Sequence, residues 1–355
     1  MKLTGNRIID KDVLEIISEN LDMNYFARKA ILITGAGGML PSYFVYSFLG
    51  LNDTILKDKP LKVFALVRNK EKALKKFSRF MNRKDFNLIV KDISDFCHFE
   101  EKLDVIIHAA SQASPKYYGI DPVGTLKANT LGTMNLLELA RRGGTRKFLF
   151  ISSGDVYGLI DGKIVSESFT GNIDCTSIRS CYGESKRMGE NMCVCYAHQY
   201  GFETYSVRLA HTYGPGVDLN DGRVFADFVR NIVYGENIKI NSDGSARRCF
   251  MYVTDMIKAC FYVLLKGKSG ESYNISSMKE ISIRELAELL CSLYPSKNIK
   301  PVFSQTKNDI SYIRSKSSSL VLDNTKLRGL GWSQTVCIEN GFKRMIDSFF
   351  EAING

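Results

Sequence analysis

A doubly wound parallel α/β sheet with a smaller C-terminal lobe is the architecture this sequence predicts, and three observations lead there. Apolar runs of four to six residues alternate with segments of helical periodicity, the pattern of parallel strands covered by helices on both faces. The first strong run opens into a glycine turn and then a helix, "ILITGAGGMLPSYFVYSFL". After Arg208 the alternation gives way to a polar, glycine-rich loop, "LAHTYGPGVDLNDGR", so the chain beyond it is built differently.

Taken in order, the chain begins with an extension, residues 1–25, whose apolar spacing predicts an amphipathic helix from Lys11 to Leu21. Strands are expected at 30–34, 62–67, 86–90, 104–108, 147–152 and 203–208, each short, apolar and rich in β-branched or aromatic residues. Helices are expected at 39–50, 70–81, 122–142 and 181–200. These elements make residues 26–210 the main domain, and 211–355 mainly the second lobe, with a helix near 223–234 and a closing helix at 337–353. "GESYNIS" is expected to return to the main sheet as a strand near 273–275.

Composition narrows the function classes. With 355 residues, 45% of them hydrophobic, the chain is long enough for one large domain or two lobes. No run approaches the roughly 20 apolar residues of a membrane span, and the N-terminus lacks an apolar signal core, so no membrane partner and a cytoplasmic location are expected. Nine cysteines, an odd number without a C-x-x-C pair, fit reduced thiols, and with only four histidines no metal site is expected. The formal charge of +10 is carried by dispersed residues, with no Arg/Lys block interleaved with aromatics. That pattern points away from nucleic acid and toward an anionic small ligand.

The glycine turn supplies the first chemistry. Gly35 and Gly38 stand at G-x-x-G spacing with Gly37 between them, directly before a helix that starts at Met39 and Leu40. Such a turn lets backbone approach a pyrophosphate, and the helix N-terminus offers N–H groups and a positive dipole end, as in a Rossmann-like domain. The third glycine position holds Pro41, which a first helical turn tolerates. An acid at the end of the second strand would bind a free ribose 2′-hydroxyl, but Arg68 stands there instead. It suits a 2′-phosphate or stacking on adenine, so NAD and NADP both remain open. Asp92 is a candidate for the adenine edge.

The second chemistry is "CYGESKRMGE", where Tyr182 precedes Lys186 by one helical turn. Ser153 and Asp155 close the fifth strand, at the carboxyl end where ligands of parallel sheets bind. A cation beside the phenol is expected to bring Tyr182 toward neutrality as a base.

Together with "HAASQASPKYYGIDPVGTLKANTLGTMNLL", "RLAHTYGPGVDLNDGRV", "RRCFMYVTD" and "DNTKLRGLGW", this constellation resembles the extended, sugar-nucleotide-modifying branch of the short-chain dehydrogenase/reductases. It is most similar to the UDP-glucuronate decarboxylases, over nearly the whole chain. The resemblance implies a catalytic set of Ser153, Asp155, Tyr182 and Lys186. For the dinucleotide it implies Gly35, Gly37, Gly38, Met39, Leu40, Arg68, Asp92, Ala109, Ala110, Asn129 and Lys186. For a nucleotide-sugar substrate it implies Ser114, Arg179, His211, Arg223, Arg248 and Arg314. It further implies a homodimer joined through the helices 122–142 and 181–200.

Oxidation at the sugar's C4 is common to decarboxylases, 4-epimerases and 4,6-dehydratases, and the strand-end motif separates them. Here it reads S-G-D-V-Y-G, with Gly154 where a dehydratase of that branch carries its acid and Asp155 where a decarboxylase carries Glu. Decarboxylation of a nucleotide hexuronate leads, with 4-epimerization as the alternative, then dehydration or reduction. His211 stands where the family generally has Asn, and "NIKINSDGSARR" lacks the aromatic that often marks the base site. The nucleotide base is therefore open.

Overall fold

The computed structural model describes residues 2–160, 162–303 and 319–354. Its strands, in chain order, are β1 (Ala30–Thr34), β2 (Lys62–Val67), β3 (Phe86–Val90), β4 (Val105–His108), β5 (Lys147–Ser153), β6 (Ile164–Val165) and β7 (Glu203–Leu209). There follow β8 (His211–Tyr213), β9 (Ile238–Ile240), β10 (Arg247–Tyr252), β11 (Glu271–Ile275), β12 (Glu280–Ser282), β13 (Pro301–Phe303) and β14 (Val321–Leu322). The helices are α1 (Arg7–Ile17), α2 (Met39–Asp53), α3 (Lys70–Lys76), α4 (Lys116–Ile120), α5 (Pro122–Asn129) and α6 (Leu131–Gly143). After them come α7 (Ser180–Tyr200), α8 (Val224–Tyr234), α9 (Val253–Lys266), α10 (Ile283–Ser292), α11 (Thr325–Arg328) and α12 (Ile338–Asn354).

Seven strands pair in parallel in the order β11-β7-β5-β4-β1-β2-β3. β1, β4 and β5 are apolar on both faces and almost wholly buried, as a sheet covered on both sides requires. The order turns back between β1 and β4, a topological switch point, and the cleft opens beyond the carboxyl ends there. β11 lies at the sheet edge beside β7, although 61 residues of chain, 210–270, separate the two strands. A second sheet, β12-β10-β8, carries residues of the opposite cleft wall.

Three helices depart from their periodicity. The N-terminal helix runs from Arg7 to Ile17 rather than from Lys11 to Leu21, because the Asn6 side chain accepts from the Ile8 and Ile9 N–H groups and fixes the start. The helix expected over 122–142 breaks at Thr130. There the Thr130 hydroxyl donates back to the Leu126 carbonyl at 2.7 Å, and Thr133 does the same to Asn129 at 2.6 Å, which bends a helix. The helix expected over 70–81 stops at Lys76, where Phe77 and then Phe80 turn inward to pack with Phe86. Arg314 lies outside the described residues.

Candidate active site

The site grows from two approaches of backbone to backbone. Gly35 has φ of +65°, and a Cβ there would lie 2.7 Å from the Ala110 Cα, so the turn after β1 needs a residue without one. Gly183, beside Tyr182, lets the first turn of α7 lie against the strand end: a Cβ would meet the Asp155 carbonyl oxygen at 2.7 Å. The first approach sets the N-terminus of α2 at the cleft floor; the second holds Tyr182 and Lys186 beside Ser153.

The cleft has a volume of about 1800 Å³. Single-ligand pockets run to roughly 1,000 Å³, so there is room for two ligands. Its walls include Gly35, Gly37, Gly38, Met39, Leu40, Arg68 and Ala109 on the sheet side. Ser114, Ser153, Asp155, Arg179, Tyr182, Lys186, His211, Arg223 and Arg248 complete the set. Residues scattered over some 210 positions of the sequence are thereby brought to one cavity.

Three expected cofactor residues do not line it. Ala110 packs its backbone against Gly35. Asn129 is fully buried, because its side chain donates to the Ser185 hydroxyl at 3.0 Å and so braces α5 against α7. Asp92 turns to its own backbone, accepting from the Ser94 N–H at 2.9 Å, and pairs with Arg68 at 3.8 Å. Asp92 acts here as the cap of a short turn.

A dinucleotide fits the first half of the cleft. The N-cap of α2 is Gly38, which brings no side chain to the first turn, and a Cβ on Gly37 would meet only Val67, at 3.8 Å. A cradle of backbone N–H groups open to an anion is the chemistry a pyrophosphate takes. Arg68, Lys72, Lys75 and Lys76 line the same end. Burial pushes the Lys76 ammonium down to about 8, against the pull of Asp218.

At the reacting end, the Lys186 ammonium donates to the Ile151 carbonyl at 2.7 Å and sits 5.7 Å from the centre of the Tyr182 ring. Ser153 accepts from the Asp155 N–H at 3.1 Å. The expected acidification of the phenol by Lys186 is not what the protein groups alone produce. Burial drives the Tyr182 phenol upward and the charge of Asp155 adds to it; hydrogen bonding with Ser153 and the charge of Arg223 only partly offset this. Burial likewise brings Lys186 down to about 7, although Glu190 pulls it back up. The same desolvation penalises the phenolate and the ammonium, so the positive charge needed to favour the phenolate must come largely from a bound group.

Asp155 lies 4.0 Å from the Arg179 guanidinium. Burial raises its carboxyl, while Arg179 and then Arg248 draw it down. His211 opens the short strand β8 and is exposed on the wall of the cleft. Desolvation, then Arg248, Arg223 and Arg179, pull the imidazole down to about 3, so it stays neutral. The three arginines converge from the residue just before α7, the residue just before α8 and β10, a layout suited to a diphosphate and a carboxylate. Arg223 is held by an ion pair with Asp221.

One aromatic residue escaped sequence reasoning. Tyr118 of α4 stacks on Tyr182 with ring centroids 5.1 Å apart and planes 18° from parallel, its hydroxyl donating to the Ala113 carbonyl at 3.1 Å. The "KYYG" aromatic pair was its only signal, and no spacing rule ties it to a residue 64 positions away.

A model of the NAD dependent epimerase/dehydratase family matches residues 31–276. UDP-glucuronic acid decarboxylase 1 of Xenopus tropicalis is 33% identical over 323 residues, 91% of this chain and 72% of that one. UDP-glucuronic acid decarboxylase 6 of Arabidopsis thaliana is 32% identical over 326 residues, 90% of this chain and 88% of its own. In fold, the chain is similar to the UDP-glucuronic acid 4-epimerase of Bacillus cereus, solved with UDP-glucuronic acid and NAD. The TM-score is 0.77 at 23% identity, over 91% of this chain and 99% of the other.

Proposed function

This chain belongs to the NAD-dependent epimerase/dehydratase family, and from that premise we propose that it decarboxylates a UDP-hexuronate through a transient 4-keto sugar. The observation that carries the reading is the carboxylate Asp155 at the end of β5, 4.0 Å from Arg179, in a chain whose relatives are named UDP-glucuronic acid decarboxylase. NAD would be held by the glycine turn Gly35–Gly38 and the N-terminus of α2, and would supply a reversible hydride acceptor for C4.

The residues then divide the work. Tyr182 accepts the C4 hydroxyl proton, with Ser153 holding that oxygen and Lys186 at its flank. The 4-ketone makes the C5 carboxylate a β-keto acid, whose C5–C6 bond breaks as CO2 leaves and its electron pair passes into the enolate. Arg179 orients that carboxylate beforehand. Asp155, 4.0 Å from Arg179, delivers the proton that C5 then takes. Tyr182 finally returns its proton to the C4 oxygen. Arg223 and Arg248 hold the diphosphate, and His211 contributes a neutral hydrogen-bonding edge. Gly154 leaves no acid to expel a hydroxyl, which argues against dehydration.

The test is UDP-glucuronate with NAD, read by mass and CO2 release. A pentose nucleotide is expected. A product of unchanged mass with inverted C4 would establish the 4-epimerase alternative instead, and loss of water would establish a dehydratase.

A homodimer is part of the same proposal. Exposed apolar side chains support it, Leu131 and Met134 on α6 and Met188 and Val194 on α7. Sedimentation as a monomer at micromolar concentration would remove it. Among the described residues no helix is long and apolar enough to cross a membrane.

A further inference from the structure

The segment before β1 lies outside the span that the family model matches, yet it is built into the molecule. α1 packs against α2, α9 and α12. Asp12, at its centre, is fully buried, and three side chains from three other elements converge on its carboxylate. The Tyr43 hydroxyl of α2 donates to Oδ2 at 2.9 Å, and the Tyr252 hydroxyl of β10 donates to the same oxygen at 2.7 Å. From α12, Arg344 donates to Oδ1 at 3.0 Å and is itself held by Glu15 at 2.7 and 3.0 Å. Tyr43 and Tyr252 are themselves fully buried.

What the two phenols belong to gives the arrangement its meaning. Tyr43 stands one turn into α2, the helix whose N-terminus forms the pyrophosphate cradle. Tyr252 ends β10, the strand that sets Arg248 in the opposite cleft wall. A single carboxylate oxygen therefore joins the cofactor helix to the substrate strand. A buried carboxylate is costly unless its lone pairs are used, so neither phenol can move away without leaving a charge undersatisfied.

We propose that Asp12 is a positioning residue that couples the dinucleotide half of the cleft to the nucleotide-sugar half. Ordering α2 around a dinucleotide fixes Tyr43, hence the Asp12 oxygen, hence Tyr252 and the register of Arg248. The link is reciprocal: each ligand tightens the other by the same factor. This inference rests on the functional reading above, in that the cleft must take both ligands.

The experiment uses the full chain and two non-reacting probes, NAD and UDP, each titrated by calorimetry with and without saturating amounts of the other. The native protein is expected to bind UDP about 5-fold or more tightly once NAD is bound, within the range usual for coupled sites. Tyr43→Phe and Tyr252→Phe each delete one hydroxyl and keep the ring. Either should bring the coupling factor close to unity, and the double variant should go no further, because the two bonds share one oxygen. A merely structural role would lower the unfolding temperature and leave the coupling factor as it was; that result overturns the proposal. So does native protein that binds both probes independently. Failure of the native protein to bind UDP or NAD at all would overturn the functional reading itself, and the coupling with it.

Discussion

Tyr182→Phe is expected to lower turnover by roughly 10²- to 10⁴-fold, the usual weight of one acid–base group. NAD binding should change little, because the phenol adds nothing to the glycine cradle around α2. The substitution keeps the ring stacked on Tyr118 at 5.1 Å, so it removes a proton carrier and spares the packing. Retained turnover would take the phenol out of the mechanism. A corollary concerns pH. Burial depresses Lys186 to about 7, so as pH rises through that value its ammonium is lost and Tyr182 loses a cationic neighbour. A falling alkaline limb in kcat/KM is therefore expected. Lys186→Arg, whose charge persists, should move that limb upward. A profile that the substitution leaves unmoved would assign the limb to another group.

The second large effect lies just behind the reacting centre and is one of stability. Arg208 of β7 grips Glu190 of α7 in a fork, at 2.7 and 3.0 Å, with both side chains largely buried. The Ser152 hydroxyl donates to the same Glu190 carboxylate at 2.5 Å, and Arg208 also donates to the Tyr157 hydroxyl at 2.8 Å. Arg208→Met would strand a buried carboxylate one turn beyond Lys186, and should cost about 3–5 kcal/mol of unfolding free energy. Replacing both partners, Glu190→Met with Arg208→Met, should recover much of that loss, because no uncompensated charge remains. Urea unfolding of the single and double variants reads both outcomes. If the single variant is as stable as the native chain, the pair carries no such weight.

How legible this was depends on range. The turn Gly35–Gly38 and the pair Tyr182–Lys186 are local patterns in which spacing along the chain is spacing in space. They could be read directly, as could each strand of the central sheet. Helix ends were less legible, because a cap such as Asn6 or a hydroxyl such as that of Thr130 outweighs apolar periodicity there. Asn129, assigned to the cofactor by resemblance, and Asp92, a candidate for the adenine edge, do not line the cleft; Asn129 donates to Ser185 and Asp92 accepts from Ser94, contacts that no local spacing announces.

By itself, then, the sequence determined the order of strands and helices, the glycine turn before α2 and the one-turn spacing of Tyr182 and Lys186, since each depends on residues within a turn or two of one another. Only the tertiary structure decided in which direction burial shifts Tyr182 and Lys186, that Tyr118 stacks on Tyr182, and that Asp12 ties α2 to β10. Those outcomes depend on desolvation and on contacts between residues as many as 240 positions apart, and no periodicity along a chain encodes either.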